Sequence, residues 1–129
     1  MPLTAERTKQ IIAAAEKKAT EMGLAISVCV VDENGLTKGF FKMDGAWFTT
    51  NEIALGKAKA AVGTKRSNAE TAERSGRPVF QYQLVHNGFV FAQGGEPIFE
   101  GDRCIGAVGI SGAPGGPQDE EIAKAALAG

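Results

Sequence analysis

One histidine, His86, stands beside Asn87-Gly88 in a chain with no other imidazole. A single histidine cannot build a metal cage of three or four protein ligands, but it is enough as an axial ligand to haem iron. The competing reading is a partly buried histidine in a surface hairpin. A second constellation is Asp44, in the turn Met43-Asp44-Gly45-Ala46, with Lys57, which falls on the helical stripe of Ile53, Ala60 and Thr64. A lysine among small apolar neighbours can meet a carboxylate or propionate, or act as acid or base if burial lowers its pKa. Alternatively it snorkels to solvent. Glu96 and Glu100 have no histidine or cysteine beside them and make no metal motif. Cys29 and Cys104 fall inside apolar strands without a Cys-x-x-Cys pair, which predicts two buried free thiols. Nucleophile-elbow, P-loop, dinucleotide-binding and zinc spacings are absent from the sequence.

Glycine placement suggests where a ligand approaches. Gly106, Gly109 and Gly112 interrupt the apolar run Cys104 to Gly112, and glycines inside a strand mark a bulge or a close approach by a ligand or another element. Gly94-Gly95, held by Pro97, reads as a turn. Two interpretations stay open: a pocket walled by bare backbone, or a helix lying flat on the sheet. Uncovered amides at Gly94 and Gly95 favour anions, and Lys57 adds a positive charge. The expected pocket therefore lies between the Asp44-Gly45 turn, the helix around Lys57 and the Gly94-Gly95 turn, with carboxylates or haem propionates as ligands.

The elements that would position these residues follow from periodicity. Ile11, Ala15, Ala19 and Met22 recur at helical spacing between an N-cap at Thr4 and Gly23. Residues 25–31 are apolar on both faces, as in a central strand, and 32–35 turn into a second strand at 36–42. Thr49 with Glu52 predicts a capping box opening a helix to about Lys65. Its Gly56, Ala60 and Gly63 share one line, each glycine costing roughly 1 kcal/mol against alanine, so another backbone is expected to pack there. Residues 67–77 read as a short helical turn and loop. Strands are expected at 82–86, 89–92 and 103–111, and a last helix from Pro117 buries Ile122, Ala123, Ala126 and Leu127. The pattern predicts an α+β two-layer sandwich, with about five mostly antiparallel strands and helices gathered on one side. Ile26, Val28, Val30, Ile105, Val108 and Ile110 are its expected core.

With 129 residues, one domain spanning 1–129 is expected. The 14 Lys+Arg against 15 Asp+Glu are not gathered into runs, which argues against a nucleic-acid partner. No apolar segment reaches the ~20 residues of a membrane helix, and Glu6, Arg7 and Lys9 are unlike a signal peptide, so a cytoplasmic location is expected.

The ordered motifs Met43-Asp44-Gly45-Ala46, Ile53-Ala54 with Lys57-Ala58 and Ala61, Gly94-Gly95 with Pro97-Ile98, Gly106 to Gly112, and Gln118-Asp119 with Ala123 resemble the GlcG/HbpS-like family, or haem-degrading domain family, which includes the C-terminal domain of PduO-type proteins. The resemblance covers nearly the whole chain. It implies a profilin-like or PAS-like antiparallel sheet, homo-oligomers and, in some members, haem binding or degradation. One expectation is thus a haem protein with His86 as the possible iron ligand, Lys57 or Arg77 facing the propionates, and Phe80, Tyr82, Phe89 and Phe91 lining the slot. Another is an accessory enzyme or carrier for a small carboxylate or aromatic compound, with Asp44 and Lys57 as its polar pair above Gly94 and Gly95. A third is a non-catalytic oligomeric scaffold. The oligomer contact is expected on the Gly56-Ala60-Gly63 face.

Overall fold

The computed structural model describes residues 2–72 and 86–128. In chain order these form α1 (Ala5–Glu21), β1 (Ser27–Asp32), β2 (Thr37–Lys42), α2 (Thr49–Thr64), α3 (Asn68–Thr71), β3 (Gly95–Glu100), β4 (Arg103–Ser111) and α4 (Gly116–Ala128). The strands pair antiparallel in the order β2-β1-β4-β3. The α+β class and antiparallel sheet agree with the sequence.

The two doubly apolar segments, β1 and β4, occupy the middle of the sheet because each has two faces to bury. Val28 stands opposite Ile110 and Val30 opposite Val108 on one face; Cys29 stands opposite Gly109 and Val31 opposite Ala107 on the other. The first face packs with Ile11, Ala15 and Ala19 of α1 and Ile122, Ala123 and Ala126 of α4. The second packs with Ala54, Ala58 and Ala61 of α2. Helices therefore cover both faces of the sheet rather than gathering on one. All six expected core residues are at most 2% exposed, and burying each such branched side chain contributes roughly 1.5–3 kcal/mol.

Local chemistry fixes the ends. Thr4 caps α1 by accepting from the Arg7 N–H at 3.0 Å. The Asp32 carboxylate accepts from the Asn34 and Leu36 N–H groups at 2.9 and 3.1 Å, closing the β1–β2 turn. The expected capping box at Thr49 does not form: Phe48 is the N-cap and lends no side-chain bond. Thr50 instead turns its hydroxyl onto the Trp47 carbonyl at 2.6 Å.

Four strands, not five, are present among the described residues. The expected strand at 82–86 lies outside them except for His86, as do Arg77, Phe80 and Tyr82. Residues 89–92 are not a strand, because the Val90 N–H bonds at 3.0 Å to the Gly56 carbonyl of α2. Of the expected Gly94-Gly95 turn, Gly94 lies in a bend with a φ of +111° and Gly95 already opens β3, which lies at the end of the strand order, where Pro97 is tolerated. No described helix is long and apolar enough to cross a membrane.

The glycines resolve in favour of close packing. A side chain at Gly109 would enter the backbone of α2 at Ala54 and Ala58, so its absence seats the helix on the sheet. At Gly56 a Cβ would stand 2.5 Å from Val90 Cγ2 and 2.8 Å from the Gly88 carbonyl, and at Gly63 3.0 Å from the Phe89 ring. The small-residue face expected to meet another subunit is thus filled at Gly56 and Gly63 by the chain's own Gly88–Val90 segment.

Candidate functional site

The sequence paired Lys57 with Asp44, but the fold pairs it with Asp119. Lys57 leaves α2 toward the end of β4 and donates to the Ile110 carbonyl at 2.8 Å and to Asp119 Oδ2 at 3.0 Å. Asp119 Oδ1 accepts from the Ala113 N–H at 3.1 Å, which holds the loop between β4 and α4. Both side chains are nearly sealed, at 5% and 6% exposed. Burial pushes the Asp119 carboxyl above the usual aspartate range, opposed by the Lys57 charge and by the Lys57 and Ala113 hydrogen bonds.

Gly94 makes room for this pair. Its φ is +111°, and a Cβ there would lie 2.8 Å from Asp119 Cβ and from the Ile110 carbonyl, and 3.2 Å from Lys57 Nζ. Gly95 is covered by Asn68, whose amide donates to the Lys57 carbonyl at 3.0 Å and to the Val90 carbonyl at 3.2 Å. Gly94 and Gly95 are therefore packed over, and Lys57 is committed within the protein. Asp44 is exposed on its turn.

Two other places among the described residues bring together groups that could contact a ligand. The first is the surface around His86, which is exposed at the start of the 86–88 turn. Lys59 of α2 donates to the Asn87 carbonyl at 3.0 Å and holds its ammonium 5.9 Å from the centre of the Phe89 ring. Phe89 and Phe91 pair with centroids 6.2 Å apart. Imidazole, aromatic rings and a cation thus converge on one short segment, propped on α2 through Gly56 and Gly63.

The second is a cavity of about 650 Å³ where the Gly45 turn, the first turns of α2 and the β4–α4 loop meet. Leu24, Trp47, Ile53 and Pro114 supply apolar lining, and among the described residues Asp119 is the one charged side chain in it. His86, Lys57, Gly94 and Gly95 do not line it.

Sequence reasoning did not single out Asp119, Lys59, Asn68 or Trp47 as site residues. Asp119 reads as a helix-dipole acid in the first turn of α4, and nothing in its neighbours announces a lysine 62 positions upstream. The adjacent Trp47-Phe48, both largely exposed at 78% and 83%, is the signal that was available. Among the described residues no group of three histidine, cysteine or acidic side chains could hold a metal ion.

Comparison with known proteins places this geometry in a context. The family model described as haem degrading protein HbpS-like matches residues 3–128. An uncharacterised 15.0 kDa Citrobacter freundii protein from the dhaT–dhaS intergenic region is 32% identical over 128 residues, covering 97% of this chain and 89% of that one. A double mutant of Streptomyces reticuli HbpS superposes with a TM-score of 0.89 at 32% identity, over 99% of this chain and 86% of that chain. The crystal structure of PduOC in complex with haem superposes with a TM-score of 0.90 at 27% identity, over 99% and 94%.

Proposed function

The chain belongs to the HbpS-like haem-degrading protein family, matched over residues 3–128, and on that basis we propose that it binds haem or a related tetrapyrrole at the His86 surface. The observation that carries the reading is that PduOC, alike over 99% of this chain, was crystallised with haem. The residues on the surface suit such a group. His86 offers an exposed imidazole for iron, Phe89 and Phe91 offer apolar ring faces, and the Lys59 ammonium offers a partner for a propionate. Lys57 and Gly95 act from beneath: Asn68 links the Lys57 carbonyl to Val90, and Gly95 leaves space for Asn68, while Gly94 leaves space for the Lys57–Asp119 pair. Bound haem would supply a redox-active iron; the chain's own residues hold and orient it.

Titrating haem into the full chain while recording absorbance tests this reading. The expected result is a saturable, shifted Soret band. A free-haem spectrum at every ratio would overturn it.

A further inference from the structure

The cavity at the mouth of α2 is not used by the His86 surface, and its chemistry differs. Its volume of about 650 Å³ falls within the roughly 300–1,000 Å³ of small-molecule sites. Gly45 and Gly112 border it and project no side chains into it. Its one charged group among the described residues, Asp119, is nearly sealed from solvent and uses one oxygen for Lys57 and the other for Ala113 N–H. A carboxylate has about four acceptor positions, so two remain. Lys57 lies behind Asp119 and already donates to it and to Ile110. Two further acids, Asp44 and Glu52, are exposed next to the lining residues Gly45 and Ile53. Among the described lining residues, the charged group an anionic ligand would meet is the Asp119 carboxylate.

We propose that this cavity is a second binding site for a small ring compound bearing an amine or hydroxyl donor, its ring against Trp47 and Ile53 and its donor on the Asp119 carboxylate. This reverses the preference for carboxylates expected from Lys57, because Asp119, not Lys57, lines the cavity. It also stands independently of haem binding.

Trp47 is the chain's only tryptophan, so its fluorescence reports on the cavity directly. Benzylamine, benzyl alcohol and benzoate share a ring and differ at the head. Titrations followed by fluorescence and by calorimetry are expected to show saturable binding of benzylamine or benzyl alcohol and none of benzoate at equal concentration. Asp119→Asn is expected to weaken benzylamine about 10- to 150-fold, the range of a charge-assisted hydrogen bond. If that variant fails to fold, Ile53→Arg carries the test: the residue is 37% exposed, so the fold is kept while the added cation and bulk abolish amine binding. His86→Ala is expected to leave amine binding unchanged. Benzoate binding as tightly as benzylamine, no saturable binding of any probe, or loss of amine binding in His86→Ala would overturn the proposal.

Discussion

Lys57 Nζ and Asp119 Oδ2, 62 residues apart in sequence, meet at 3.0 Å in a sealed contact that ties α2 to α4 past the end of β4. Removing one member of such a pair strands the other as a buried charge. Lys57→Met is therefore expected to lower the unfolding free energy by about 3–5 kcal/mol, with Lys57→Met/Asp119→Leu recovering part of the loss. Urea unfolding checks both, and a neutral single variant would show that the pair does not hold the fold.

Gly94 is required by geometry and by space. Its φ of +111° is strained for any residue with a Cβ, by about 1–3 kcal/mol, and that Cβ would also press on Asp119 and the Ile110 carbonyl. Gly101 has a positive φ of +62° but nothing within 4 Å. Gly94→Ala should consequently destabilise more than Gly101→Ala in the same denaturant series. Equal losses would mean that crowding at Gly94 relaxes freely.

Glu96 is buried, at 7% exposed, on β3 and accepts from the Ser67 hydroxyl at 2.6 Å. Burial pushes its carboxyl above the ordinary value, against the Ser67 hydrogen bond. The native state thus holds this proton longer than the unfolded chain. The stability so gained is full below the ordinary glutamate value of about 4.3 and is lost as pH rises through the folded value. Glu96→Gln keeps an acceptor for Ser67 without the charge. Its Tm is expected to match wild type at low pH and to exceed it increasingly toward neutrality. A Tm gap that narrows or reverses on the way to neutral pH would contradict this.

Gly56 couples the fold to the His86 surface, since a Cβ there would meet Val90 and the Gly88 carbonyl. Gly56→Ala is expected to keep α2, where alanine is favoured, while displacing the 88–90 segment. Far-UV circular dichroism should be unchanged and haem affinity reduced. Unaltered haem binding in a folded Gly56→Ala would detach that segment from the site.

Much of the fold was legible because it depends on local pattern. Double-sided burial in β1 and β4, the Thr4 cap and the periodicity of α1 and α4 each follow from neighbouring residues. The division of helices between the two faces was misread: the expected sandwich gathers them on one side, although strands apolar on both faces need cover on both, as the burial of Cys29, Val31 and Ala107 alongside Val28, Val30 and Val108 shows. The site was less legible because it depends on contacts distant in sequence. Lys57 and Asp44 look like partners 13 positions apart, yet only the meeting of α2, β4 and α4 decides that Lys57 finds Asp119. Likewise Gly94-Gly95 read as uncovered amides, because the sequence does not show that Asn68 and Asp119 lie over them.

The most direct test of the haem reading is the absorbance spectrum of the haem-loaded chain beside that of His86→Ala. His86 is exposed, so its replacement should leave the fold intact, and far-UV circular dichroism confirms that first. The account predicts a shifted Soret band in the wild type that is lost or displaced in His86→Ala, with Lys59→Met retaining the band position but binding more weakly. Identical Soret bands and affinities in wild type and His86→Ala would contradict it.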